Sequence, residues 1–226
     1  MSETFKQRLI DRKTVISVNV GGRNPDIIPA LAKFGAHCAF IDCERTGISI
    51  DVAIDLIRAS KVAGIASIVR SMSKDPALLV QYLDRQADGL VIPHVNTAKE
   101  AEDLVELVHY ACGPTAATRT LIVQIETKEA IEALDEMMLV KGIDAFLIGP
   151  NDLAYSLMSQ RGAETPEVNA AVDYAAGRLR DSGRPFGLPA RFNDLSRFNE
   201  RGANFLYYPV EWLIERALSE LSAAIL

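Results

Sequence analysis

Eight short, almost wholly apolar runs, each followed by a longer amphipathic stretch, constrain this chain more than any other feature. The runs are VISVNV (15–20), CAFID (38–42), ASIV (66–69), GLVIP (89–93), LIVQIE (121–126), AFLIG (145–149), FGLP (186–189) and NFLYY (204–208). Continuous apolar character without alternation is how a strand covered on both faces reads. The stretches between them carry helical signals. Residues 50–63 place Val52, Ile54, Leu56, Ile57 and Val62 at helix-compatible spacing. Residues 97–110 open with Thr97 and Glu100, the spacing of a capping box. Residues 165–182 open with Thr165, Pro166 and Glu167, an N-cap followed by proline in the first turn, and 210–226 read as a terminal helix. Strands alternating with helices make a parallel sheet, and eight strands are the number that closes one. The predicted fold is therefore α/β, a single (β/α)₈ TIM barrel over residues 1–226 with no linker or second domain.

A recurring glycine supports that reading. Gly35, Gly64, Gly142, Gly183 and Gly202 each stand between a helix and the next strand, where a left-handed residue ends the helix and re-aims the chain. An open doubly wound sheet is the alternative, weakened because no G-x-G-x-x-G follows the first strand. A barrel of this kind takes roughly 250 residues, so 226 fit if the loops are short. A net charge of −6 with no basic run argues against nucleic acid as a partner. No apolar run approaches the roughly 20 residues of a membrane span, and MSETFKQRLIDRK at the start reads as an ordinary helix, so a cytoplasmic protein is expected. Cys38, Cys43 and Cys112 lack metal-ligand spacing and are expected as reduced thiols. His37, His94 and His109 are scattered, which excludes a histidine-rich zinc site.

Barrel chemistry collects where the strands end. The second strand ends in Asp42, Glu44 and Arg45, the third in Arg70, the fourth in Pro93 and His94. The fifth ends in Gln124 and Glu126, the sixth in Gly149, Pro150, Asn151 and Asp152. Charges of both signs around one mouth suit a small anion held through a cation. Gln124 and Glu126 are two apart, so they share a face. A carboxylate there must be paired, hydrogen-bonded or bound to metal. Asp152 has two readings, helix N-cap or ligand. Two carboxylates from adjacent strands form a poor zinc site but suit Mg²⁺, Mn²⁺ or Co²⁺, which leave positions for water and substrate oxygens. A 2-oxo acid could fill two of these, and the cation would stabilise its enolate. Arg70 would then fork onto that oxygen or the carboxylate, or else serve a structural ion pair.

These residues resemble a known family. The run QIETKEAIEALDEMMLVKGIDAFLIGPNDLA (124–154) is similar to the signature stretch of the HpcH/HpaI aldolases. So are FGAHCAFIDCE, the strand end at Arg70 with Asp75 and Pro76 after it, and VIPHVNTAKEAE. The resemblance implies a metal-dependent class II pyruvate aldolase acting on 4-hydroxy-2-oxo acids. It further implies a barrel assembled as a homo-oligomer, a hexamer built as a trimer of dimers that exchange their C-terminal helices. By the same resemblance Glu126 and Asp152 are metal ligands, Arg70 binds pyruvate, Gln124 lies beside the metal, and backbone N–H groups near Asn151 and Asp152 take the substrate carboxylate.

The chain departs from that pattern twice. The family's base is a histidine where this chain has Arg45, in Ile41-Asp42-Cys43-Glu44-Arg45, and arginine cannot accept a proton at physiological pH. The family's long Gly- and Pro-containing loop between strands four and five, which helps close the site, is here the short HYACGPTAATRT (109–120). Three repairs are open: His94 as base, a water acidified by the ion, or a reaction without that base such as oxaloacetate decarboxylation, with Arg45 on a second carboxylate. The expected function is a carbon–carbon lyase on a 2-oxo acid. An enolate-condensing relative and a paralogue that binds metal and 2-oxo acid without turnover are the alternatives.

Overall fold

Because successive side chains on a strand point to opposite faces, each strand here sends one set of residues inward and the other toward the helices. On β2 (Cys38–Asp42) the inward set is Cys38, Phe40 and Asp42, while Ala39 and Ile41 pack outward. The computed structural model describes residues 3–158 and 165–225. The eight strands close in sequence order into one parallel ring, β1 (Val15–Asn19), β2, β3 (Ala66–Arg70), β4 (Gly89–Ile92), β5 (Thr120–Ile125), β6 (Ala145–Ile148), β7 (Phe186–Pro189) and β8 (Phe205–Pro209). β1 pairs with β8 in parallel from Val15 against Phe205 to Asn19 against Pro209.

Every predicted strand is present, with ends displaced by at most one residue. The helices are α1 (Phe5–Ile10), α2 (Ile28–Lys33), α3 (Ile50–Ala63), α4 (Pro76–Asp84), α5 (Ala98–Cys112), α6 (Lys128–Glu132) and α7 (Leu134–Leu139). They continue with α8 (Pro150–Met158), α9 (Pro166–Asp181), α10 (Leu195–Glu200) and α11 (Val210–Ile225). The last residue of the expected terminal helix, 226, lies outside the described residues. All five predicted helix-ending glycines have positive φ, from +74° at Gly183 to +101° at Gly142. Thr165 caps α9 through the Val168 N–H. Thr97 caps α5 through the Glu100 N–H, but Glu100 reaches past it to the N–H of Asn96 at 2.7 Å, so the reciprocal half of the expected box is shifted by one residue.

Two apolar layers result. The outer one joins the strands' outward faces to the helices, with Leu56, Leu79, Leu104, Leu134, Leu153 and Leu179 among its fully or largely buried members. The inner one fills the ring with Val15, Cys38, Phe40, Ile68, Val91, Ile122, Ala145, Leu147 and Phe205, and Phe5 and Leu9 of α1 join it from below. Phe5 meets Phe205 edge-on at 6.0 Å between centroids, so α1 plugs the bottom of the barrel.

The segment 109–120 corrects an expectation. It is largely helical, α5 continuing to Cys112 and a 3₁₀ turn running Gly113–Thr118. It enters β5 at its amino end, opposite the mouth, where Lys6 of α1 hydrogen-bonds the Arg119 carbonyl at 2.6 Å. Its shortness therefore does not open the mouth of its own barrel. All three cysteines are free thiols, as expected, and among the described residues no helix is long and apolar enough to cross a membrane. Burial pushes the Cys38 thiol up to about 12 and the Cys43 thiol up to about 11.

Candidate active site

The inward series on several strands turns from apolar to polar at the carboxyl end. Above Val15 and Ser17 stands Asn19, above Phe40 stands Asp42, above Ile68 stands Arg70, and above Ile122 stand Gln124 and Glu126. Of these, Asn19, Asp42, Arg70 and Gln124 floor a cavity of about 820 Å³ whose wall also includes Arg45, Gly149, Asn151, Asp152, Tyr207 and Trp212.

Strand register brings Asp42 and Arg70 directly opposite each other. Arg70 donates from Nε to Asp42 Oδ1 at 2.9 Å and from Nη2 to Oδ2 at 2.5 Å, a bidentate fork between two buried groups. Its Nη1 lies 3.2 Å from Glu44 Oε2. Asp42 Oδ1 also accepts from the backbone N–H groups of Glu44 and Arg45, and Asn19 Nδ2 donates to Oδ2 at 3.3 Å and to the Tyr207 hydroxyl at 2.8 Å. Asp42 therefore anchors the loop that carries residue 45 through its backbone, and its carboxylate is not a partner for that residue's side chain. Arg45 instead reaches across the mouth, with Nη2 2.5 Å from Asp152 Oδ1. Asp152 sits in the first turn of α8 and is not its N-cap, which removes one of its two sequence readings.

Glu126 is fully buried. Its Oε1 accepts the backbone N–H of His94 at 2.8 Å, and its Oε2 accepts the Gln124 carboxamide, as their shared face required. Gly149 is the close neighbour. A Cβ there would stand 3.1 Å from Gln124 Nε2 and from Glu126 Cβ, so any side chain would push both neighbours aside by a few tenths of an ångström. Burial pushes the Glu126 carboxyl above the usual carboxylate range, opposed by the His94 N–H and imidazole and reinforced by the charges of Glu44 and Asp152. His94 itself holds a left-handed backbone at φ +55°, uncommon for a residue with a side chain. That conformation aims both its N–H and its ring at the site, Nδ1 3.1 Å from Glu126 Oε1 and Nε2 3.6 Å from Glu44 Oε1.

Charge decides what the mouth can hold. Asp42, Glu44, Glu126 and Asp152 contribute four carboxylates, Arg45 and Arg70 two guanidiniums. Arg70 pairs with Asp42 and also touches Glu44, and Arg45 pairs with Asp152, while Glu126 faces Glu44 across His94. Among these six groups carboxylates outnumber guanidiniums by two, and one of them, Glu126, is fully buried, a grouping that suits a divalent cation. Arg191, Arg197 and Arg201 also line the cavity but pair with Glu215 and Asp173.

The sequence profile of the HpcH/HpaI aldolase/citrate lyase family matches residues 16–211. The chain belongs to this family. A hydroxypyruvate/pyruvate aldolase from Roseovarius nubinhibens is 30% identical over 91% of this chain and 89% of the relative. A 4-hydroxy-2-oxo-heptane-1,7-dioate aldolase from Shigella sonnei is 28% identical over 99% and 95%. An HpcH/HpaI aldolase/citrate lyase family protein from Burkholderia cenocepacia superposes with a TM-score of 0.89 over the whole of both chains at 22% identity, which speaks for the barrel. A chain of the HpcH/HpaI family is a lyase of the aldolase type, and the finer question is which bond it breaks.

Within this HpcH/HpaI chain, the sequence-predicted Asp42, Arg45, Arg70, Gln124, Gly149, Pro150, Asn151 and Asp152 all line one cavity, and Glu126 and His94 adjoin it. The sequence reading missed Asn19 and Tyr207, which hold Asp42 from the β1 and β8 side. Their signal was present in the period-two inward series Val15, Ser17, Asn19 and Phe205, Tyr207.

Proposed function

We propose that this chain cleaves a carbon–carbon bond of a 2-oxo acid and releases pyruvate through its enolate. The observation that carries this reading is the fully buried carboxylate of Glu126, facing Glu44 across His94 and set beside Arg70 and the amino end of α8. Glu126 and Asp152 would hold a divalent cation (Mg²⁺, Mn²⁺ or Co²⁺), with Arg45 drawn off Asp152. Bound there, such an ion supplies Lewis-acid stabilisation of the negative charge that develops on the 2-oxo oxygen.

The chain's own residues divide the remaining work. The Arg70 fork is fixed by Asp42, so the guanidinium enters the reaction already oriented, its unused N–H bonds available to the substrate oxygens. The backbone N–H groups around Asn151 and Asp152 open α8 and favour the substrate carboxylate by hydrogen bonding and helix dipole. Gln124, beside Glu126, closes the floor. Arg45 is a permanent cation, and its natural partner in the loaded site is a second substrate carboxylate, which would replace Asp152 in the ion pair.

Retro-aldol cleavage requires an acceptor for the 4-hydroxyl proton, whereas β-decarboxylation does not, since the departing CO₂ leaves its electron pair on carbon 3. Acid–base help is worth about 10²- to 10⁴-fold. Pyruvate release from oxaloacetate is therefore expected to exceed release from 4-hydroxy-2-oxo acids by at least about 10²-fold, and a chelator is expected to abolish both. Metal-loaded protein that turns over neither substrate would sink the reading and leave a binding paralogue.

The chain is also proposed to work as a homo-oligomer, with small molecules as its ligands. On α11 only Val210 is buried, while Leu213, Ile214, Leu218, Leu221 and Ile225 are 40–83% exposed. An apolar stripe of that size on one helix calls for a second copy to cover it. Replacing Leu218 and Leu221 by Glu is expected to lower the mass seen by sedimentation. A wild-type chain that sediments as a monomer at micromolar concentration would refute the proposal.

A further inference from the structure

We infer that His94, together with Glu44 and Glu126, places an imidazole nitrogen in the coordination shell of the divalent cation. The inference rests on the cation reading above and specifies the shell. Glu44, His94 and Glu126 each present one ligand atom, and these atoms lie within 4.8 Å of one another. The Nδ1–Oε1 separation of 3.1 Å between His94 and Glu126 matches two neighbouring ligands on one ion, since bonds of about 2.1 Å at right angles put their ends about 3 Å apart.

Three further observations converge on the same point. The Gln124 carboxamide donates to Glu126, while its Oε1 is buried without a hydrogen-bond partner, a polar atom left in place for an occupant of this pocket. The backbone of His94 is held at φ +55°, a conformation that persists in a side-chain-bearing residue when its surroundings impose it and that clusters at ligand clamps. Both nitrogens of the ring face carboxylate oxygens, Nδ1 toward Glu126 and Nε2 toward Glu44, so the ring is placed to join their ion rather than to meet a substrate hydroxyl. Asp152, meanwhile, has one oxygen in the Arg45 pair. Glu44, His94 and Glu126 would therefore hold the ion with Asp152 still engaged by Arg45.

The chemical consequence is selectivity. An oxygen-only shell accepts magnesium readily, whereas imidazole favours the later first-row ions. The site takes Co²⁺ or Zn²⁺ in preference to Mg²⁺.

The test uses the full chain loaded with Co²⁺ or Mg²⁺, with affinity measured by calorimetry, and pulsed electron paramagnetic resonance of a Mn²⁺-loaded sample to detect nitrogen bound to the ion. The wild type is expected to show nitrogen coupling and to bind Co²⁺ at least 10-fold more tightly than Mg²⁺. His94→Asn, whose replacement tolerates left-handed backbone, is expected to lose the coupling and the preference. His94→Gln serves as a second variant should the first unfold, judged by circular dichroism. Asp152→Asn is expected to keep the coupling. An ion bound through oxygen alone, or a coupling that survives in both His94 variants, overturns the inference while leaving pyruvate release standing. Failure to bind any dication overturns both readings together.

Discussion

Glu126→Gln is expected to weaken divalent-cation binding by at least about 100-fold and to take pyruvate release below detection, with the fold intact. The amide keeps the volume of a side chain that is fully buried, so no cavity forms. It removes a charge that burial disfavours, which stabilises the metal-free protein. It also keeps only one acceptor oxygen where Glu126 offers two, one to the His94 N–H and one to Gln124, and that loss costs about 1 kcal/mol. The two effects offset, so the melting temperature should move little while ion affinity collapses. Calorimetry showing unchanged affinity in this variant would remove Glu126 from the ligand set and with it the proposed chemistry.

Arg70→Met is expected to cost about 3–5 kcal/mol of stability as well as activity. Asp42 is 1% exposed, and its largest compensation is the two-pronged arginine, with Asn19 and two backbone N–H groups adding to it. Taking away one member strands a buried carboxylate. Converting its partner too, in Asp42→Asn with Arg70→Met, should recover much of that loss, because an amide in the same place no longer demands a counter-charge. Activity should stay absent in the double variant, since the donors to the substrate are still missing. Urea unfolding checks the first statement and pyruvate release the second. A single variant less than about 1 kcal/mol below wild type would mean that Arg70 is held mainly by other contacts.

Which residues gather at the mouth was legible in the sequence because strand ends are legible. Once the apolar runs are placed, the carboxyl-terminal residues of parallel strands must share one end of the ring, and Asp42, Arg70, Gln124 and Glu126 do. What could not be read is which partner each charge takes. Arg45 and Asp152 are 107 positions apart, one on the loop after β2 and one in the first turn of α8, and only side-chain reach across the opening pairs them. The left-handed backbone of His94 carries no glycine or asparagine to announce it, and without that conformation its ring would not stand between Glu44 and Glu126. The segment 109–120 was misplaced for a different reason. Its length was legible, but a connection from helix to strand lies at the opposite end of the ring from one running strand to helix, and that follows from topology rather than composition.

The pairing of β1 with β8 joins Val15 to Phe205, nearly the full length of the chain. During synthesis the first strand must wait for the last before its open side is satisfied, so the nascent protein carries two raw sheet margins until almost everything has been made. Such long-range closure slows folding and exposes pairing edges to neighbouring chains. A stop codon or proteolytic cut ahead of Phe205 would therefore yield an aggregating fragment rather than a smaller working enzyme.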